Sequence, residues 1–220
     1  MGGTSKNLEE AHRRLKASLR TGNMDGAEAA IIEGADPRVG GYQLLKLARM
    51  HRRLETVNSI LKMYTKEELN NFALQACIDY QLLLLLDIKK AGGKVRINKE
   101  FVLEHQDVLK WLRITEIKAQ IFPEAFKAAE EKYKTSPELL GNLLTIMKNS
   151  ESSEKRQQIL NFLIAESARN DKLQLLKLYE QYGGDIKSIP YTDIEHIKKS
   201  GQGAVWGYLQ SKGVEMRLFL

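Results

Sequence analysis

Apolar residues recur along the chain at spacings of three and four, and runs in which β-branched residues alternate with polar ones are nearly absent. Such spacing lines one face of a 3.6-residue helix, so the pattern predicts helices and almost no strands. In residues 8–19 it sets Leu8, Ala11, Leu15 and Leu19 on one face, with the charged residues opposite. Residues 43–54, 71–88, 124–133, 137–147, 156–168 and 173–182 repeat the arrangement, each predicted as a single helix between short polar turns.

The turns themselves recur. Gly34-Ala35-Asp36-Pro37, Gly92-Gly93-Lys94-Val95, Gly183-Gly184-Asp185-Ile186 and Gly213-Val214 each follow a helical run. Gly34, Gly93, Gly184 and Gly213 stand at about two, three and one multiples of a spacing of about 30 residues, as repeat arrays do. Glycine suits these places because a helix C-terminus is capped by a left-handed residue. The missing multiples predict boundaries near Tyr64, Pro123 and Glu154, where Thr65 and Glu68 also form a capping box for a new helix. Seven helix pairs of about 30 residues would then fill the chain, each burying its apolar face on its neighbours.

Within these repeats a finer pattern resembles the ankyrin repeat. Ala29-Ala30-Ile31-Ile32-Glu33-Gly34-Ala35-Asp36 follows Arg20-Thr21-Gly22-Asn23-Met24-Asp25; Leu175-Leu176-Lys177-Leu178-Tyr179 and Gly183-Gly184-Asp185 follow Ala168-Arg169-Asn170-Asp171. Val205-Trp206-Gly207-Tyr208-Leu209 leads to Gly213-Val214 in the last repeat. The match is clearest over residues 8–37 and 160–216, moderate over 44–63 and 73–95, and limited to period and helix pairing over 98–153. The resemblance implies an all-α helical-repeat solenoid across residues 1–220, with a partner held along the inner surface formed by first helices. The family's Thr-Pro-Leu-His motif is absent, and the repeats are about three residues short. Short or missing β-hairpin fingers are therefore expected, and a generic helix-pair solenoid is the other architecture open.

Composition narrows the class. A chain of 220 residues, 43% hydrophobic and 28% charged, with four prolines and no linker-like tract, is that of one folded body. The 34 basic and 28 acidic residues leave a net charge of +6, compatible with an anionic partner. The lone Cys77, among small apolar neighbours, is read as a buried structural thiol. The N-terminus has no apolar leader; Met1 to Lys6 differs from a myristoylation start at Lys6 and is read as a flexible tail. The longest apolar run, Leu82 to Leu86, ends at Asp87, so a cytoplasmic location is expected and no membrane span. Delivery into another cell is also compatible with the sequence.

Catalytic and metal signals are thin. Glu9 with His12, and Asp193 with His196, place a carboxylate and an imidazole on one helical face, but the further carboxylates of a metal-binding bundle have no counterpart. His51 and His105 have no histidine partner at ligand spacing, Gly201-Gln202-Gly203 follows no strand, and no phosphate loop or nucleophile elbow occurs. No enzyme, metal or cofactor is expected.

Two kinds of partner surface remain. Tyr42, Tyr80, Trp111 and Tyr191 fall near predicted first helices, and with Arg49, Arg52 and Arg53 they are candidates for contacting a protein partner. Arg13, Arg14, Arg20, Lys89, Lys90, Lys94 and Arg96 are candidates for contacting phosphate, on nucleic acid or anionic phospholipid. A solvated face is the favoured reading of that charge, because adjacent pairs such as Arg13-Arg14 point in different directions. Trp206 is assigned to packing, and Met216-Arg217-Leu218-Phe219-Leu220 to a cap on the last repeat. The sequence thus predicts a non-catalytic protein–protein scaffold, the alternative being a basic helical module for nucleic acid or acidic lipid.

Overall fold

Left-handed backbone stops, inside five of the helix pairs and at the end of four, organise much of this chain. The computed structural model describes residues 3–201 and 203–214, the side chains of residues 3–6 excepted. It divides into an N-terminal unit, Met1–Thr115, and a C-terminal unit, Glu116–Leu220. The boundary falls within residues 98–153, where the repeat pattern is weakest.

The N-terminal unit carries four helix pairs: α1 (Gly3–Thr21) with α2 (Met24–Ile32), α3 (Gly41–Met50) with α4 (Leu54–Leu61), α5 (Lys66–Ile78) with α6 (Leu82–Lys90), and α7 (Lys99–Glu104) with α8 (Gln106–Ile114). A 3-10 turn, Pro37–Val39, follows the first pair, and a three-residue strand, β1 (Val95–Ile97), follows the third. The core contains Leu15, Leu44, Leu45, Leu84, Leu85, Ile88 and Leu109, all out of reach of water.

In the C-terminal unit, β2 (Ala119–Ile121) precedes α9 (Pro123–Glu131) with α10 (Pro137–Ser150), α11 (Ser153–Arg169) with α12 (Leu173–Gln181), a 3-10 turn at Ile186–Ser188, and α13 (Tyr191–Lys199) with α14 (Gly203–Ser211). Its core is built on Leu140, Leu143, Leu144, Ile164, Leu176, Tyr179, Ile197 and Leu209. Fully burying an aliphatic side chain of this size contributes about 1.5–3 kcal/mol. The all-helical class expected from the spacing is observed, apart from the two short strands. The strand at Val95–Ile97 is buried, exposed, buried, an alternation too brief to read from sequence.

The turns explain where the helices stop. Within pairs, Gly22, Arg52, Tyr80, Asp171 and Gly201 have left-handed backbones; twelve residues after four of them, so do Gly34, Gly92, Gly183 and Gly213. After the first four of these in-pair turns, the next residue donates to a carbonyl five residues back: Asn23 to Ser18, Arg53 to Ala48, Gln81 to Ala76 and Lys172 to Ser167, at 2.8–2.9 Å. The pair ends repeat this at Ala35 to Ala30, Gly93 to Ile88, Gly184 to Tyr179 and Val214 to Leu209. This is the bond that closes a Schellman motif and satisfies carbonyls a helix end would otherwise orphan.

Two predicted helices are consequently interrupted. Residues 43–54 and 71–88 each break at a left-handed residue, Arg52 and Tyr80, and continue as separate helices. The expected capping box is present: Thr65 Oγ1 accepts from the Glu68 amide at 3.3 Å, and the Glu68 carboxylate accepts from the Thr65 amide at 2.8 Å. The proposed N-terminal tail gives way to helix from Gly3 onward. Met1, Gly2, Gln202 and the C-terminal cap segment, residues 216–220, lie outside the described residues.

Three repeats share a second lock. The His12 Nε2 accepts from the Asp36 amide at 2.9 Å, Asn70 Oδ1 from the Lys94 amide at 2.7 Å, and Asn161 Oδ1 from the Asp185 amide at 3.0 Å. Each acceptor stands on a first helix, ten residues before the left-handed turn, and holds the chain as it leaves the second helix.

Candidate partner-binding groove

Helix α2 reads Met-Asp-Gly-Ala-Glu-Ala-Ala-Ile-Ile, and its small residues decide what it buries. Asn23 caps it by accepting from the Gly26 amide at 2.9 Å. Met24, Ala27 and Ala30 face the core of the N-terminal unit; Glu28, half-buried Ile31 and exposed Ile32 line its outer side. Helix α4 buries Val57, Ile60 and Leu61 and sets Glu55, Thr56 and Ser59 along the facing side. Between them lies an open groove of about 400 Å³, completed by Pro37, Ile60 and Met63. Ile32 is 86% exposed and Met63 44% exposed, large values for side chains of this kind.

The groove is polarised along α4. At one end, Glu28 accepts from Thr56 Oγ1 at 2.8 Å, and Arg53 lies 3.7 Å from Glu28 while pairing with Asp25 at 2.8 Å. Glu55 stands at this end in the first turn of α4, where the helix dipole favours a carboxylate. Toward the other end the lining turns aliphatic, and Arg38 donates from Nη2 to the Met63 carbonyl at 2.5 Å.

The residues singled out from sequence distribute differently. Tyr42 is buried, its ring 6.1 Å from that of Phe72 and its hydroxyl 3.4 Å from Asp79. Burial, reinforced by the Asp79 charge, holds its phenol well above the usual range, so it is a packing group. Arg49 is mostly buried against Asp87, with Nε and Oδ2 2.9 Å apart but outside hydrogen-bond geometry. Arg52 is exposed at its left-handed turn, and Arg53 stands at the groove rim. Tyr80 and Trp111 do meet, edge to face with centroids 5.6 Å apart. Neither lies on a first helix: Tyr80 forms the α5–α6 turn and Trp111 belongs to α8. Tyr191, exposed at the start of α13, belongs to the C-terminal unit.

Two of the seven candidate anion-binding cations already have carboxylate partners. Arg13 forms two bonds to Glu10, at 2.8 and 2.9 Å, and Arg14 reaches both Glu10 and Glu33. Arg20, Lys90, Lys94 and Arg96 are exposed, on α1, α6, the turn after α6 and β1; Lys89 is half-buried. Lys94 is engaged through its amide, by Asn70.

The remaining chemical candidates are structural in their surroundings. His12 is occupied by the Asp36 amide and Asp193 by Arg169 at 3.0 Å. Among the described residues, no three histidine, cysteine or acidic side chains are placed to hold a metal ion. Cys77 is fully buried, which pushes its thiol up to about 12, well above a reactive thiol. No described helix is long and apolar enough to cross a membrane.

The groove was missed in the sequence because its aliphatic residues look like core. One signal was present: Ile31 and Ile32 are adjacent, and neighbours on a helix cannot both face one direction. No family model, curated protein or solved structure matches this chain.

Proposed function

We propose that this chain is a non-catalytic protein–protein interaction scaffold of the cytoplasm, an ankyrin-like stack of helix pairs with reduced fingers. The observation that carries the reading is the α2–α4 groove, where Ile32 stands in solvent beside Ile31, Ile60 and Met63. Exposed aliphatic side chains gathered around a concavity are a partner-binding feature, whereas scattered ones are ordinary surface. The ankyrin-like architecture is supported by the twelve-residue interval between left-handed turns and by the matching His12, Asn70 and Asn161 locks.

Affinity capture from nuclease-treated extract at physiological salt, followed by mass spectrometry, tests the scaffold. A discrete protein retained near stoichiometry is the expected result. Recovery of nucleic acid alone from untreated extract, or of anionic vesicles in a salt-sensitive manner, would replace it with the basic-module reading.

A further inference from the structure

The groove's own chemistry says what kind of segment it takes. From Glu55 to Ile60 the lining follows one face of α4, and Met63 extends it past the helix end, a stretch of about two helical turns. Glu28 and Glu55 mark one end, and Ile31, Ile32, Ile60 and Met63 fill the other. Glu28 is bound by Thr56 and faced by Arg53, but Glu55 makes no hydrogen bond or ion pair among the described residues. No Lys, Arg or His lines the groove, although the chain as a whole carries +6. Glu55 is therefore the lining's unpaired charge, with Arg53 beside Glu28 and Arg38 at the Met63 end.

We propose that the α2–α4 groove binds a helical segment of another protein that presents two aliphatic side chains one turn apart and a lysine or arginine one to two turns from them. The inference rests on the scaffold reading above and specifies its partner. A trough between two helices suits an amphipathic helix, whose apolar residues enter as anchors at successive turns. The aliphatic anchors cover Ile32 and Met63, and the cation meets the unpaired Glu55 at the acidic end. Arg38, at the Met63 end, disfavours the reversed orientation. Charge complementarity of this sort fixes direction and partner choice more than it adds affinity.

The test uses the full chain and a displayed library of random peptides about three helical turns long. Enriched peptides are synthesised with a fluorophore and titrated by anisotropy. The expected result is enrichment of paired aliphatic residues with a lysine or arginine on one side. Ile32→Asp, at a fully solvated position that leaves folding intact by circular dichroism, should weaken these peptides at least tenfold. Glu55→Lys should weaken them several-fold and flatten their salt dependence.

No enrichment, or equal binding to wild type and Ile32→Asp, overturns the proposal. Enrichment of acidic peptides that bind better to Glu55→Lys overturns the charge assignment. Self-association abolished by Ile32→Asp would give the groove to a second copy and overturn it too. If Ile32→Asp still captures the same protein from extract, the scaffold survives and this groove is not its site.

Discussion

Two adjacent glycine pairs provide a quantitative check on the turn geometry. Gly92 and Gly183 are left-handed, with open space where a Cβ would stand; Gly93 and Gly184 are packed. A Cβ on Gly184 would lie 2.4 Å from Ile164 Cδ1 and 3.1 Å from the Tyr179 carbonyl oxygen. On Gly93 it would lie 2.6 Å from Ile88 Cγ2 and 2.9 Å from the Leu69 carbonyl oxygen, within helix α5. The Ile164 methyl ends a rotatable chain and can retreat, whereas the Leu69 carbonyl cannot. Overpacking costs about 1–3 kcal/mol, so Gly184→Ala belongs near the lower figure and Gly93→Ala near the upper. With a urea slope of about 2 kcal/mol per molar, their midpoints should fall by about 0.5 M and 1.5 M.

A second change separates the two obstacles. Ile164→Val removes the offending Cδ1 and alone costs about 0.5–1.5 kcal/mol. Combined with Gly184→Ala it should cost at least ~0.5 kcal/mol less than the two effects added, which a double-mutant cycle measures. No aliphatic trimming should rescue Gly93→Ala to wild-type stability, because its limiting neighbour is backbone. Equal losses at Gly93 and Gly184, with additivity at Ile164, would refute the packing argument.

Other consequences follow from buried polar groups. Tyr179 is fully buried and donates to Glu130 at 2.5 Å, with Lys172 3.3 Å from the same carboxylate; Tyr179→Phe should cost about 2 kcal/mol in thermal or urea unfolding, and no loss would show the bond to be idle. At Asp79, burial raises the carboxyl, but hydrogen bonds from Lys46, Gln75 and Tyr42 outweigh it and leave the group below its ordinary value. A depressed folded value means the stabilisation is present above the unfolded carboxylate range and lost as pH falls through the folded one. The stability gap between wild type and Asp79→Asn should accordingly narrow on acidification below about pH 4, and a pH-independent gap would contradict this. Cys77, fully buried with its thiol pushed up to about 12, should react with a thiol reagent at pH 8 far more slowly in the folded chain than in urea; rapid labelling would mean that α5 opens readily.

The sequence discloses one class of turn well and the other poorly. Gly34, Gly92, Gly183 and Gly213 are readable because a left-handed helix end selects against a side chain. Arg52 and Tyr80 adopt the same conformation with a Cβ in place, a strain of about 1–2 kcal/mol each that nothing in residue type announces; Asp171 is of a type that enters this region more readily. Apolar spacing therefore ran through the breaks at Arg52 and Tyr80. The locks were hidden for another reason: His12, Asn70 and Asn161 are chemically unlike, yet each offers one acceptor at the reach the departing chain requires. Tyr42 and Arg49 looked like surface groups because their partners, Asp79 and Asp87, belong to a different helix pair.

Why the groove was illegible follows from the same division of labour. In the repeats that carry them, main-chain bonds and the locks set where the second helix begins and ends, and small or aliphatic residues on one side of it set its packing. In α2 that packing is completed by Met24, Ala27 and Ala30, which leaves Ile32 unconstrained by the fold. A polar residue there would cost the core nothing and would spare an exposed aliphatic surface from solvent. Met63, just beyond the end of α4, is half-covered by the fold but still presents apolar surface to the same trough. Apolar surface kept at Ile32, where the core does not require it, is better explained by what it contacts outside the chain than by anything inside it. Replacing Ile32 should therefore separate recognition from stability, a separation that no core substitution permits.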